Sequence, residues 1–125
     1  MVNKLKLEEL NRIDVETFKK VEKIPLVVVL DNIRSMHNVG ATFRTADAFL
    51  VQKIILCGIT PQPPHREIHK AALGATESVD WSHETDINVT INDLKNQGFE
   101  VVGIEQTTNS QMITDFKIDN AKKYA

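Results

Sequence analysis

Leu7, Leu10, Ile13, Phe18 and Val21 recur near one stripe at helical spacing, with Lys and Glu residues between them. This predicts an amphipathic helix over residues 5–21 that packs against the rest of the chain. Pro25 then opens LVVVL, a continuous apolar run that reads as a strand buried on both faces and ended by Asp31 and Asn32. From Asn38 the pattern changes to Val39, Phe43, Ala46 and Leu50, a second helix with Asn38 placed as its N-cap. KIILCG, Lys53 to Gly58, predicts another buried strand, and Pro61, Pro63 and Pro64 stiffen the loop after it. Glu67 to Leu73 reads as a short helix closed by Gly74, and Glu77 to Trp81 as a strand. Asp86 can cap a helix carrying Ile87, Ile91 and Leu94 and ending at Gly98, after which FEVVGI predicts a strand. Strands alternating with helices over short connections predict an α/β fold, an open, mostly parallel sheet with helices on both faces. Residues 107–125 have no strong period, and Lys122 to Ala125 resembles the opening of a further element. A complete domain would cover its last strand with a helix, so the chain is expected to be cut short.

Composition places this pattern in one domain: 125 residues, 42% hydrophobic and 26% charged, far from disordered, collagen-like or coiled-coil chains. The longest apolar run is too short for a membrane helix, and MVNKLKLEEL is no secretory signal. Cys57 is the lone cysteine, which excludes an internal disulfide and fits a reducing cytoplasm. The formal net charge of -2 argues against a polyanionic partner until its distribution is read. Residues 1–23 carry six basic and five acidic groups, residues 24–76 five and three, and residues 77–125 four and nine. The middle third also holds His37, His65 and His69 beside Arg34, Arg44, Arg66 and Lys70. It can form a local anion-binding surface or an ordinary solvated one.

Ligands of open α/β sheets bind beyond the carboxyl ends of the strands, which directs attention to DNIRSMHNVGATFR, Asp31 to Arg44. Helix-start N–H groups there can meet an anion, Gly40 can clear its approach, and Arg44 lies one turn later on the same face. The alternative reading has Asn38 as a cap, Gly40 as a close helix contact and Arg44 paired with Asp47.

LVVVLDNIRSMHNVGATFRTADAFLVQKIILCG closely resembles the first motif of the SpoU (TrmH-like) RNA ribose 2'-O-methyltransferases, a family with a C-terminal trefoil knot. Its N-x-G-x-x-x-R core falls on Asn38, Gly40 and Arg44. IHKAALGATESVDW, Ile68 to Trp81, is similar to the family's next block, and FEVVGIEQT extends the resemblance to about residue 108. The resemblance implies methyl transfer from S-adenosylmethionine to a ribose 2'-hydroxyl of tRNA or rRNA. Arg44 is then the main catalytic residue, Asn38 supports it, and Arg34, His37, Gly40, Arg66 and Lys70 face RNA phosphates. The resemblance places the family's second motif, a strand with a Gly-x-Glu turn, and its third, a Ser-Leu-Asn stretch, which build the knot and most of the cofactor pocket, after position 125. Residues 1–23 are accordingly assigned as an N-terminal helix and residues 24–125 as the N-terminal part of the methyltransferase domain. Glu105, Gln106 and Thr107 would border the cofactor pocket, while S-adenosylmethionine itself is expected to bind only the intact enzyme. The resemblance further implies a cytoplasmic homodimer with neither membrane nor DNA as partner.

Other signals add less. His65 and His69 stand at i, i+4 with Glu67 between them but lack a third ligand, so no metal site is assigned. Cys57 reads as a small core residue, and Trp81 as an aromatic that either stacks a base or packs under a helix. No G-x-G-x-x-G follows the first strand, against a nicotinamide or flavin enzyme. Two rival readings remain: a noncatalytic RNA-binding module, and an inactive fragment with an exposed apolar sheet edge.

Overall fold

The β-branched runs pair as their composition demands. In a computed structural model describing residues 1–125, the side chain of Leu7 excepted, β1 (Ile24–Asp31) lies parallel to β2 (Val51–Cys57), and β3 (Trp81–Glu84) extends the sheet beside β2. On the far side of β1 come β5 (Lys123–Tyr124) and then β4 (Phe99–Glu100). All pairings are parallel and the order is β3-β2-β1-β5-β4. Chain order therefore reverses at the β1–β5 seam, the kind of switch point that opens a ligand crevice at the strands' carboxyl ends.

Strand periodicity divides the core between the faces. Alternate residues Leu26, Val28 and Leu30 of β1 join Ile54 and Leu56 of β2 under α1 (Val15–Lys20), α2 (Met36–Ala48), α3 (Arg66–Ala72) and α4 (Ala75–Ser78). Phe18, Val39, Phe43, Ile68 and Val79 fill this layer. Val27, Val29 and Ile55 point the other way, toward Leu94 of α5 (Ile87–Asn96) and Phe99. Helices thus cover both faces, as the alternation predicts.

Several elements depart from the sequence expectation. The helix expected over 5–21 is broken into a 3-10 turn, Leu7–Leu10, and α1, with Asn11 left-handed between them at φ 48°. Asp14 restarts the helix by accepting the Thr17 N–H at 2.7 Å, and of the stripe only Phe18 is buried while Leu10, Ile13 and Val21 are exposed. The Leu7 side chain lies outside the described residues. The N-cap of α2 is Ser35, whose Oγ accepts the Asn38 N–H at 3.1 Å; Asn38 is already inside the helix. The strand expected at Glu77 to Trp81 begins at Trp81, because Ala75, Ser78 and Val79 bury at helical spacing. FEVVGI pairs only through Phe99 and Glu100, continued by Val102 N–H to Ala125 O at 2.8 Å. Lys122 to Ala125, expected as an opening without an element, contains β5. Finally, β1 buries only Val27 fully. Beside its other face lies an open groove of about 550 Å³ between β1 and α2, lined by Ile24, Leu26, Val28, Phe49 and Val51 among others.

Candidate functional site

The loop from β1 to α2 is tied to the end of β2 by two short polar side chains. Asn32, left-handed at φ 51°, a conformation Asn tolerates better than most residues, accepts the Ile59 N–H on Oδ1 at 3.0 Å and donates its own N–H to Cys57 O at 3.2 Å. Its amide fills the space above Gly58, where a Cβ would fall 2.1 Å from Oδ1. Thr60, 2% exposed, accepts the Ile33 N–H at 3.1 Å, and its hydroxyl lies 2.7 Å from Cys57 O and 3.0 Å from Leu30 O. Gly58 is held in turn by Glu84 O at 3.0 Å and His83 Nε2 at 2.9 Å. A fixed loop sets the start of α2, and with it every residue the helix carries. Sequence reasoning missed Asn32 and Thr60; the available signals were an Asn directly after a strand and a Thr just before a proline-rich loop.

On α2, Val39, Phe43 and Ala46 are buried in the core. Gly40 faces α3: an added Cβ would lie 2.3 Å from Ile68 O and 2.8 Å from the Ala71 Cβ. Its missing side chain therefore serves a close helix crossing, as the alternative reading of this position has it. Arg44 is exposed and forms no ion pair among the described residues. Its suggested partner Asp47 instead accepts a hydrogen bond from Ser78 Oγ at 2.8 Å. Asn38 stands six residues before Arg44, about 120° around the helix, and lines the apolar groove with Ala41, Thr42 and Thr45. The structure does not bring the two side chains to one face. Arg34 and His37 are exposed at the start of α2, with His37 two turns before Arg44 on the same side.

A second cationic surface lies on α3. Pro64, His65, Arg66, His69 and Lys70 line an open cleft of about 570 Å³. His65 caps the helix by accepting the Glu67 N–H on Nδ1 at 3.1 Å, so the neutral ring carries its hydrogen on Nε2. Among the described residues, no group of three or more His, Cys, Asp and Glu is placed to hold a metal ion.

Glu105, Gln106 and Thr107 are exposed and hydrogen-bonded within their own turn. Glu105 Oε2 accepts the Gln106 N–H at 3.0 Å, while Ser110 Oγ accepts the Thr107 N–H at 2.9 Å and lies 3.1 Å from Glu105 O. All three stand open to solvent in a turn closed by its own hydrogen bonds. Trp81 packs edge-on to Phe43, ring centroids 6.4 Å apart, as a core aromatic. Cys57 is fully buried with Sγ 3.4 Å from Thr90 Oγ1. Burial pushes its thiol up, partly offset by the Thr90 hydrogen bond and reinforced by the Asp31 and Glu84 carboxylates.

Known proteins resemble this arrangement over most of its length. The 23S rRNA (guanosine-2'-O-)-methyltransferase RlmB of Vibrio parahaemolyticus is 34% identical over 96 residues, covering 77% of this chain and 39% of the relative. The crystal structure of an rRNA methyltransferase from Sinorhizobium meliloti superposes with a TM-score of 0.70 at 25% identity, over 86% of this chain and 41% of that one. An AdoMet-bound rRNA methyltransferase from the same organism gives a TM-score of 0.58 at 27% identity, over 67% and 33% respectively. The chain thus spans about two fifths of the length of the relatives it matches. The model of the SpoU rRNA Methylase family matches residues 25–125, and the chain belongs to that family.

Proposed function

We propose that this chain carries the RNA-facing half of a ribose 2'-O-methyltransferase acting on tRNA or rRNA, with Arg44 as its catalytic residue and S-adenosylmethionine as methyl donor. The observation that carries the reading is an exposed arginine, free of ion pairs among the described residues, on a helix pinned at the carboxyl end of β1. Support comes from the named activity of RlmB and from the AdoMet-bound neighbour.

A ribose 2'-hydroxyl is a poor nucleophile until its proton begins to leave. A guanidinium stays protonated at working pH, so Arg44 acts as a fixed cation rather than a base. It clamps the adjacent phosphate and stabilises the alkoxide developing at the 2'-oxygen, and that phosphate can take the proton. S-adenosylmethionine supplies the electrophilic methyl when bound. Asn38 supports the site from the groove side of α2, and Arg34 and His37 contact RNA near the helix start. The enzyme works as a homodimer in the cytoplasm.

In single-turnover methylation by the intact enzyme, with 2'-O-methylnucleosides quantified after digestion, Arg44→Lys should lose most of the rate because it keeps charge and forfeits the bidentate fork. A near-normal rate would overturn the assignment. Titration of S-adenosylmethionine into the 125-residue chain, at concentrations that detect ~100 μM affinity, should give no heat. The open arrangement of Glu105 to Thr107 also favours a second reading, a noncatalytic RNA-binding module. RNA retention by the intact enzyme without any methyl transfer would select it.

A further inference from the structure

Methyl transfer to a ribose needs an acceptor for the 2'-hydroxyl proton, and the Arg44 face offers few. The one carboxylate on α2 is Asp47, and Ser78 Oγ already donates to it at 2.8 Å. Of the four histidines, His65 spends Nδ1 on the cap of α3, and His83 Nε2 lies 2.9 Å from Gly58 O. His69 lines the α3 cleft, nearly opposite the Ala71 side that meets Gly40. His37 is exposed and makes no side-chain hydrogen bond among the described residues. Both of its ring nitrogens are free.

The helix sets the spacing of the pair. Seven residues separate His37 from Arg44, which places them about 20° apart around α2 and on the order of 10 Å apart along it. Long side chains on a helix lean back over the preceding turn, so the Arg44 guanidinium can reach toward the imidazole. Gly40 and Ala41 occupy the turn between them, and neither raises more than a methyl group there. A gap of this size admits one ribose with its phosphate. Arg34 is the charged residue before His37 in the loop from β1. α3 turns Ile68, Ala71 and Ala72 to this part of α2, and its titratable and charged residues Arg66, Glu67, His69 and Lys70 are all exposed. α4 packs farther along, where Ser78 meets Asp47, and carries the exposed Glu77. The strands beneath α2 present apolar side chains to it.

A phosphodiester or a solvated carboxylate is a weaker base than a neutral imidazole, and an acceptor whose proton affinity lies near working pH makes the better general base. We propose that His37 is the general base of the reaction, taking the 2'-hydroxyl proton in place of the phosphate. This rests on the Arg44 reading above and completes it. The O–H bond of the 2'-hydroxyl breaks and its proton passes to a ring nitrogen of His37. The oxygen's electron pair forms the new bond to the methyl carbon, the carbon–sulfur bond of the sulfonium donor breaks, and that pair stays on sulfur. The imidazolium then gives its proton to water. Arg44 holds the phosphate and the developing charge throughout. A phosphate contact would ask only a hydrogen-bond donor of position 37, whereas this role asks a neutral ring nitrogen at the 2'-oxygen.

The test is single-turnover methylation by the intact enzyme at saturating RNA and S-adenosylmethionine, followed across pH. The parent rate should rise through the range in which histidines titrate, roughly pH 5 to 8. His37→Gln should lose that rise and run on the order of 100-fold slower on the plateau, with RNA affinity near the parent's. His37 is exposed, and circular dichroism checks that the variants fold. Added imidazole should restore part of the rate of His37→Ala and none of the rate of Arg44→Ala. A second readout needs no turnover: in the 125-residue chain the ring nitrogen resonances of His37 should move when a short RNA saturates it and stay in place with DNA of corresponding sequence, which lacks the 2'-hydroxyl. Equal movement with both, or with neither, would overturn the proposal. So would a His37→Gln enzyme that keeps the parent's plateau and acid limb, or one that loses only RNA affinity. A slow His37→Gln beside a near-normal Arg44→Lys would instead reject the Arg44 assignment and leave His37 standing.

Discussion

Gly40 shows how one position can satisfy a motif for a reason the motif does not state. Its Cα rests against the backbone of α3, and a methyl group there would meet Ile68 O at 2.3 Å. A carbonyl in a helix cannot step aside cheaply, so the two helices would have to part. Alanine normally gains about 1 kcal/mol over glycine inside a helix, but overpacking at such a contact costs about 1–3 kcal/mol. Gly40→Ala should therefore lower the thermal midpoint while RNA affinity of the folded fraction stays near the parent value. A raised midpoint would contradict the crossing, and a selective loss of RNA binding at unchanged midpoint would restore the phosphate reading. At this scale the sequence exposed Arg44 clearly and left its neighbours undecided. The spacing to Asp47 allowed an ion pair, whereas Ser78, distant in sequence, takes that carboxylate. Asn32 and Thr60 left only weak local signals because the backbone groups they hold, Ile59 N–H for one and Ile33 N–H and Leu30 O for the other, lie 27 to 30 residues away along the chain.

Elements were legible wherever a continuous apolar run marked a strand, as in β1 and β2, or one helical period marked a helix, as in α2 and α5. They were misread where a cap or a partner strand decided the outcome. α1 is such a case, short and beginning where the Asp14 carboxylate accepts the Thr17 N–H. That hydrogen bond holds the Asp14 carboxyl below its ordinary value of 3.8. A carboxyl depressed in the folded state favours folding above its unfolded value and loses that contribution as pH falls through the folded one. Acidification below the ordinary carboxylate range should therefore fray α1, seen as faster amide exchange at Thr17 while β2 stays protected. Asp14→Asn, which can still cap, should remove this pH dependence at Thr17. An unchanged acid response in that variant would place the titrating group elsewhere. β5 illustrates the other failure, since two residues in an aperiodic segment become a strand only because β1 and β4 offer open edges on either side.

For the whole molecule, alternation of strands and helices was enough to predict a parallel sheet covered on both faces, but not how completely it is covered. On the α5 side Val27, Leu94 and Phe99 are buried together. On the α2 side the helix lies over β1 and β2, and the groove beside it exposes Ile24 and leaves Phe49 67% accessible. No helix among the described residues is long and apolar enough to cross a membrane. Exposed apolar area of this kind binds amphiphilic dyes and promotes self-association. The 125-residue chain should raise the fluorescence of an anilinonaphthalene sulfonate dye while keeping its thermal transition, and Phe49→Lys should remove most of that signal because it replaces the groove's most exposed aromatic with a solvated charge. Equal dye fluorescence in parent and variant would show that the groove is closed in solution. The sheet would then be covered on both faces, as the continuous LVVVL run first implied.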